Sequence, residues 1–393
     1  MSQDTYDVLV VGGGPSGATA AHDLARAGRR VAMLDRAGRI KPCGGAIPPR
    51  AIRDFAIPDH LIKAKINNAQ IVSPKRRRVD MPVENGGYVG MVDRCEFDEW
   101  LRERAAEAGA EWIRGTSHDL ERDPDGTAVI TYEPKGGEGL QRIRARMVIV
   151  ANGARSDLAM QAIPGQGHPK CVFAYHEIVK APESGFDGQR CDVIYDGRTS
   201  PDFYAWIFPH GDTASIGTGS AKKGFSLRGA TAMVREENGL ADVETIRREG
   251  APIPMKPLKK WDNGRDVILA GDSAGVVAPA SGEGIYYAML GGRLAAEAVQ
   301  MALATNDAAA LKSARKRFMK DHGKVFMVLG IMQFFWYRND WVRERFVKMC
   351  MDKDVQRLTW ESYMNKELVR KDPLAHIKIF FKDMAHLLGL ARA

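Results

Sequence analysis

Tyr6-Asp-Val-Leu-Val-Val-Gly-Gly-Gly-Pro-Ser-Gly17, closed by Val31-Ala-Met-Leu-Asp35, is the stretch that decides the fold. The unbroken apolar run Val8 to Val11 has the length and branching of a strand buried on both faces, and it breaks at once into glycines. Gly12 permits the tight turn, Gly14 lets the backbone approach a pyrophosphate, and Gly17 lets the following Ala-rich helix, Ala18 to Ala27, pack closely on the sheet. Pro15 and Ser16 open that helix, whose N-terminus is a natural seat for phosphate. A second strand ends on Asp35, about twenty residues past the glycines as expected for an acid that accepts from ribose hydroxyls. The order of strand, glycine turn, helix, strand and acid reads as a dinucleotide site in an α/β, Rossmann-like domain.

At 393 residues the chain has material for two or three domains, and its 45% hydrophobic and 27% charged residues are an ordinary globular balance. A formal charge of +8 suits anionic lipid or phosphorylated partners, whereas no motif supports nucleic acid. Cys43, Cys95, Cys171, Cys191 and Cys350 are scattered and include no Cys-x-x-Cys pair, so neither a disulfide framework nor a zinc site is expected, and no metal. The first strand starts too near Met1 for a leader, which predicts a cytoplasmic protein. The longest apolar run, Val325 to Tyr337, falls short of the roughly 20 residues a membrane span needs.

After Asp35 and Arg36 comes Lys41-Pro-Cys-Gly-Gly-Ala46, a punctuated loop in which Cys43, Gly44 and Gly45 imply close backbone approach, to a cofactor ring or simply as a surface turn. The run Lys75 to Arg78 reads as a solvated hairpin tip. Arg94 opens a helix that ends at Gly109; a cation there gains nothing from the helix dipole, so a ligand or ion-pair role is expected. The buried run Met147 to Val150 leads into Asn152-Gly153, repeating the strand-to-glycine geometry of the start.

From Val172 to Thr218 the pattern becomes antiparallel β with aromatics. Alternation puts Tyr204, Trp206 and Phe208, followed by Pro209, on one face, either as sheet packing or as an apolar wall over a hydrophobic substrate. A third glycine turn, Gly271-Asp272, follows a buried strand, and Gly282, Gly284 and Ile285 open another Ala-rich helix. The remainder is helical and rich in Lys, Arg, Met and aromatics. Its last apolar stripe, Ile377 to Leu388, suits either a membrane interface or the protein's own core.

These three glycine signals together resemble the FAD flavoproteins that comprise aromatic hydroxylases and geranylgeranyl reductases. Lys41-Pro-Cys-Gly-Gly-Ala46 and Tyr204-Ala-Trp-Ile-Phe-Pro209 are similar to motifs of the geranylgeranyl reductase branch, and Asp354 to Trp360 with Ser362 to Lys366 resemble its bacteriochlorophyll-tail-reducing members. Asn152 departs from the wider family's Asp-Gly at that point.

The resemblance implies FAD held by Gly12, Gly14, Pro15, Ser16, Gly17, Asp35, Arg36, Cys43, Gly44, Gly45, Ala46, Arg94, Asp272, Gly282, Gly284 and Ile285. It also implies Cys43 as the catalytic residue near the flavin, and Tyr204, Trp206, Phe208 and Pro209 along an isoprenoid channel. NADPH is the expected electron donor, with an electron-transfer protein as alternative, and a geranylgeranylated pigment or geranylgeranyl diphosphate the substrate. Peripheral contact with the photosynthetic or inner membrane is expected. Residues 1–66, 93–168 and 260–305 would form the FAD-binding domain, 67–92 and 169–259 an antiparallel substrate domain, and 306–393 a helical C-terminal region. A flavin monooxygenase of the same fold, or an FAD-containing pigment carrier, would leave similar signals.

Overall fold

Val8, Leu9, Val10 and Val11 are all buried in the strand Tyr6–Val11, as an apolar run without alternation requires when both faces are covered. The strand lies between two parallel neighbours, Val31–Asp35 and Gln141–Val150. Beyond them the sheet continues in parallel to Glu111–Arg122 on one side and Val267–Leu269 on the other. Ala128–Pro134 runs antiparallel against both Glu111–Arg122 and Gln141–Val150. Helix Pro15–Arg26 packs on helices Arg94–Glu107 and Ile285–Thr305. This computed structural model describes residues 5–366 except 37, 39 and 85.

The chain divides into two compact units. The parallel sheet and its helices belong to the first, which takes the residues up to Lys41, Arg94–Cys171 and Pro252–Gly323. The second takes Pro42–Asp93, Val172–Ala251 and the described residues from Lys324 onward. The Cys43 loop therefore folds with the second unit, and the division falls inside the long helix Lys312–Trp336.

The second unit is built on a seven-stranded sheet in the order Thr245–Pro254, Cys171–Lys180, Thr213–Ser220, Ala205–His210, Arg190–Ile194, Asn68–Val72, Arg78–Pro82. Arg190–Ile194 and Asn68–Val72 pair in parallel, whereas the strands from Cys171–Lys180 to Arg190–Ile194 pair antiparallel in turn, as do Asn68–Val72 and Arg78–Pro82. Ala205 and Ile207 join Val179, Ile216 and Val234 in one core cluster, to which helix Leu227–Glu237 contributes Val234. Because strand side chains alternate, Tyr204, Trp206 and Phe208 fall on the opposite face. A small sheet of Ala46–Ile47, Val89–Val92 and Ile62–Ile66 supplies Ile66, Val89 and Met91 to a second cluster, against which Phe208 packs.

This is the mixed α/β architecture expected from the sequence, with helices Asp340–Met349 and Lys353–Asn365 following the long one. The run Lys75 to Arg78 is exposed at a hairpin turn as expected, with Arg76 paired to Glu237 and Arg77 to Glu344 (3.2 Å). The amphipathic stretch Ile377 to Leu388 lies outside the described residues.

Candidate functional site

Three glycine turns far apart in sequence meet in the first unit. Gly12 has φ +108°, and a Cβ there would run into the carbonyl of Ala151 and the Cα of Asn152. Gly17 sits directly over the Gly12 carbonyl, so any side chain at 17 would expel the turn. Gly271 approaches the Ser16 side chain, and Gly292 approaches the Ser16 backbone. Ser273 ties two of the turns together, its Oγ accepting from Gly153 N–H (3.0 Å) and donating to Gly153 O (3.0 Å). The close approaches explain why these positions are glycine.

Charged groups then set the loop. Gly13 N–H donates to Asp35 Oδ1 (3.0 Å), while Asp35 Oδ2 lies 3.6 Å from Nη1 of Arg102. Arg102, 5% exposed on helix Arg94–Glu107, also donates to Gly13 O (3.4 Å). Asp35 thus holds the turn that it also borders. Arg36, next to it, is exposed. Asp272 is buried in the turn Gly271–Ala274 and pairs with Lys41.

Arg94 makes a buried two-point ion pair with Asp98 (2.7 and 2.6 Å), one helical turn on, which is the ion-pair alternative read from the sequence. Ahead of helix Ile285–Thr305, Gly282 has φ +66° and Gly284 is the N-cap residue. Glu283 Oε1 accepts from Tyr286 N–H (3.0 Å) and so occupies one of that helix's first donors.

The residues present fit an adenine dinucleotide. A Cβ on Gly14 would meet nothing within 4 Å, so the turn is open on that side. Helix Pro15–Arg26 begins with no side-chain cap and no acid in its first turn, leaving its N-terminal N–H groups for an anion. Ser16 Oγ is buried with no hydrogen-bond partner among the described residues, and so is Asn152 Oδ1. Buried polar atoms left this way cost about 1–3 kcal/mol each, which a bound ligand relieves.

In the second unit the Cys43 loop and the aromatic strand come together. A Cβ on Gly44 would touch the Phe208 ring at 3.0 Å, and Gly45, at φ +73°, is pressed between Val92 O and His210 Nε2. Cys43 Sγ accepts from Gly45 N–H (3.4 Å), and Ala46 begins the small sheet. Tyr204 and Trp206 lie edge to face at 6.0 Å, Trp206 and Phe208 are tilted at 6.1 Å, and Pro209 is buried behind them. Burial raises the Tyr204 hydroxyl pKa well above its ordinary value, so it stays protonated.

His210 is held neutral. Burial lowers its pKa to about 4 against the pull of the Phe208 carbonyl, 3.1 Å from Nδ1. Arg102, Lys41, Ser273 and His210 were not singled out as site residues from the sequence. Only Lys41 carried a signal there, as the first residue of its motif.

The chain is 58% identical to the geranylgeranyl diphosphate reductase of Rhodobacter capsulatus, over 98% of its own length and 98% of that protein's. The chain belongs to the geranylgeranyl reductase family. The model of the lycopene cyclase protein family also matches this reductase-family chain, over residues 7–384.

Among solved structures, a geranylgeranyl bacteriochlorophyll reductase-like protein from Thermoplasma acidophilum matches with a TM-score of 0.78 at 21% identity, covering 99% of this chain and 100% of that one. A flavin-dependent brominase matches with a TM-score of 0.76 at 17% identity, covering 97% and 100%. At such identities the two structures establish a shared fold for this reductase-family member. Membership in the family rests on the sequence relatives.

Proposed function

We propose that the chain binds FAD and hydrogenates isolated double bonds of a geranylgeranyl group, on the diphosphate or on a pigment ester. The convergence of the Gly12, Gly153 and Gly271 turns about the unpartnered Ser16 hydroxyl carries this reading. Family membership supplies the substrate class: the Rhodobacter capsulatus relative is named for geranylgeranyl diphosphate. The first unit would hold the pyrophosphate at Gly12 to Gly17, the adenosine ribose near Asp35 and Arg36, and the flavin-side hydroxyls near Asp272. Gly282 to Ile285 would take the flavin's pyrimidine edge.

Bound and reduced FAD supplies the hydride. An isolated trisubstituted alkene has no carbonyl to stabilise a carbanion, so a proton must reach one alkene carbon as hydride reaches the other. Cys43 is the proposed proton source or tuning group, held by Gly45 N–H in a loop fitted against Phe208. Tyr204, Trp206 and Phe208, whose rings adjoin one another, would exclude water and seat the isoprenoid.

NADPH is the proposed donor. Mixing oxidised holoenzyme with NADPH is expected to bleach the flavin; no bleaching would favour a ferredoxin-type protein. Contact with the photosynthetic membrane is proposed to run through helix Lys312–Trp336. Met327, Ile331, Phe334 and Phe335 are 47–68% exposed on it at spacings of three and four, between Lys324 and Arg338. No helix among the described residues is long and apolar enough to cross a membrane.

The deciding experiment incubates reduced enzyme anaerobically with geranylgeranyl diphosphate and with the geranylgeranyl pigment ester, and resolves the products by mass. Mass gains of hydrogen pairs are expected on at least one substrate. No gain on either removes the proposal. Cys43→Ala enzyme that still saturates the tail at full rate would take Cys43 out of the mechanism.

A further inference from the structure

The face of the second unit's sheet that carries Trp206 hides a polar chain for which the proposed reaction has no chemical use. Trp206, Gly217 and His176 are register neighbours across three adjacent strands. A Cβ on Gly217 would lie 2.5 Å from both His176 Cβ and Trp206 Cζ2, so the missing side chain is what lets the indole lie across the middle strand. There Trp206 Nε1–H donates to Ser215 Oγ (3.1 Å). Ser215 Oγ is 2.8 Å from His176 Nδ1, and His176 Nε2 is 3.0 Å from Glu249 Oε2. Glu249 pairs with Arg247 (2.8 Å), which reaches Asp93 (3.3 Å).

An indole only donates, so with Trp206 filling one acceptor site of Ser215 the hydroxyl proton is free for His176 Nδ1, leaving Nε2–H for the carboxylate. Trp206, Ser215, His176 and Glu249 are thereby joined by bonds that all run in one direction. Ser215 is 0% exposed, His176 2% and Trp206 5%. Burying an imidazole–carboxylate pair costs stability that an apolar filling would not, whereas a chain of directed bonds fixes one orientation of the ring at its end.

We propose that His176, acting through Ser215, is a positioning residue that locks the plane of Trp206 and thereby sets how far a polyprenyl tail advances along the wall. A geranylgeranyl group repeats one isoprene unit, so complete saturation requires the tail to stop in the same register at successive double bonds. A fixed ring between Tyr204 and Phe208 defines that register. A ring free to turn does not. This rests on the reading of those three aromatics as the isoprenoid site.

The test compares holoenzyme with the His176→Ala, Ser215→Ala, His176→Asn and Trp206→Phe variants. Flavin occupancy, KM, kcat for the first reduction and the distribution of partly and fully reduced tails are measured. In His176→Ala and Ser215→Ala the ratio of fully to partly reduced product is expected to fall roughly fivefold, the factor that one hydrogen bond of ordinary net strength represents. Flavin occupancy and first-step kcat should hold. Asn places an amide oxygen near the position of Nδ1 and should restore most of the ratio.

Trp206→Phe keeps an aromatic ring but cannot donate, so it should show the same shift with the polar chain intact. It serves as the independent test where an alanine variant does not fold. Wild-type product distributions in the folded variants would overturn the inference. Failure of the unmutated enzyme to reduce any geranylgeranyl group would overturn the functional reading, and the inference with it.

Discussion

His210 shows how much one buried side chain can hold. Its ring touches the loop that carries Cys43 and the carbonyl of Phe208. Burial depresses its pKa from 6.5 to about 4, opposed by the backbone at Phe208 and Gly44 and by Asp93. The unfolded chain therefore binds a proton near pH 6.5 that the folded chain refuses until about pH 4. Stability is fully present above that window and is lost as pH falls through it, by roughly 3 kcal/mol from this residue alone. Urea midpoints at pH 7 and pH 5 should move apart in the native protein and less so in His210→Gln. Equal pH slopes would mean the ring is not held neutral.

At the scale of elements, a strand, a turn and a helix make the dinucleotide cradle, and a different helix holds it in shape. Arg102 reaches both Gly13 O and Asp35 from helix Arg94–Glu107. Arg102→Ala removes the 3.6 Å ion pair with Asp35 and the hydrogen bond to Gly13 O, and a hydrogen bond from a charged donor carries about 1.5–3 kcal/mol. FAD affinity should fall roughly ten- to a hundredfold, read from the fluorescence of released flavin, with unchanged circular dichroism. Affinity equal to wild type would assign the loop's shape to Asp35 alone. Gly17→Ala acts differently, because its Cβ lands on the Gly12 carbonyl and no side-chain motion relieves that. The expected product is a colourless protein.

Over the whole molecule, charge is concentrated. Between Lys312 and Cys350 there are ten Lys or Arg against three Asp or Glu, most of the chain's net +8. The same stretch exposes Met327, Ile331, Phe334, Phe335 and Trp341. Basic residues beside exposed apolar ones are the composition of a surface that rests on anionic lipid. The protein should float with vesicles containing anionic lipid, weakly with neutral ones, and less at high salt. Replacing Phe334 and Phe335 by Ser should lower partition by roughly tenfold or more, since each buried Phe contributes about 1.5–3 kcal/mol. Undiminished flotation of that variant would move the contact elsewhere on the chain.

The sequence by itself determined whatever depends on neighbours along the chain. The doubly buried strand at Val8 to Val11, the glycines that bend it, the alternation that aligns Tyr204, Trp206 and Phe208, and the two reductase motifs were all legible, because backbone sterics and strand period act over a few residues. Tertiary structure alone decided which distant partners meet. Lys41 pairs with Asp272, 231 residues away, Ser273 with Gly153, 120 away, and Arg102 with Gly13, 89 away. It also decided that the Cys43 loop folds with the aromatic sheet, and that an absent side chain at Gly217 opens the path from Trp206 to His176. An arginine or a serine in sequence has many possible partners. Only the crossing of packed elements selects one, because a hydrogen bond requires about 3 Å and a direction, neither of which is encoded by spacing along the chain.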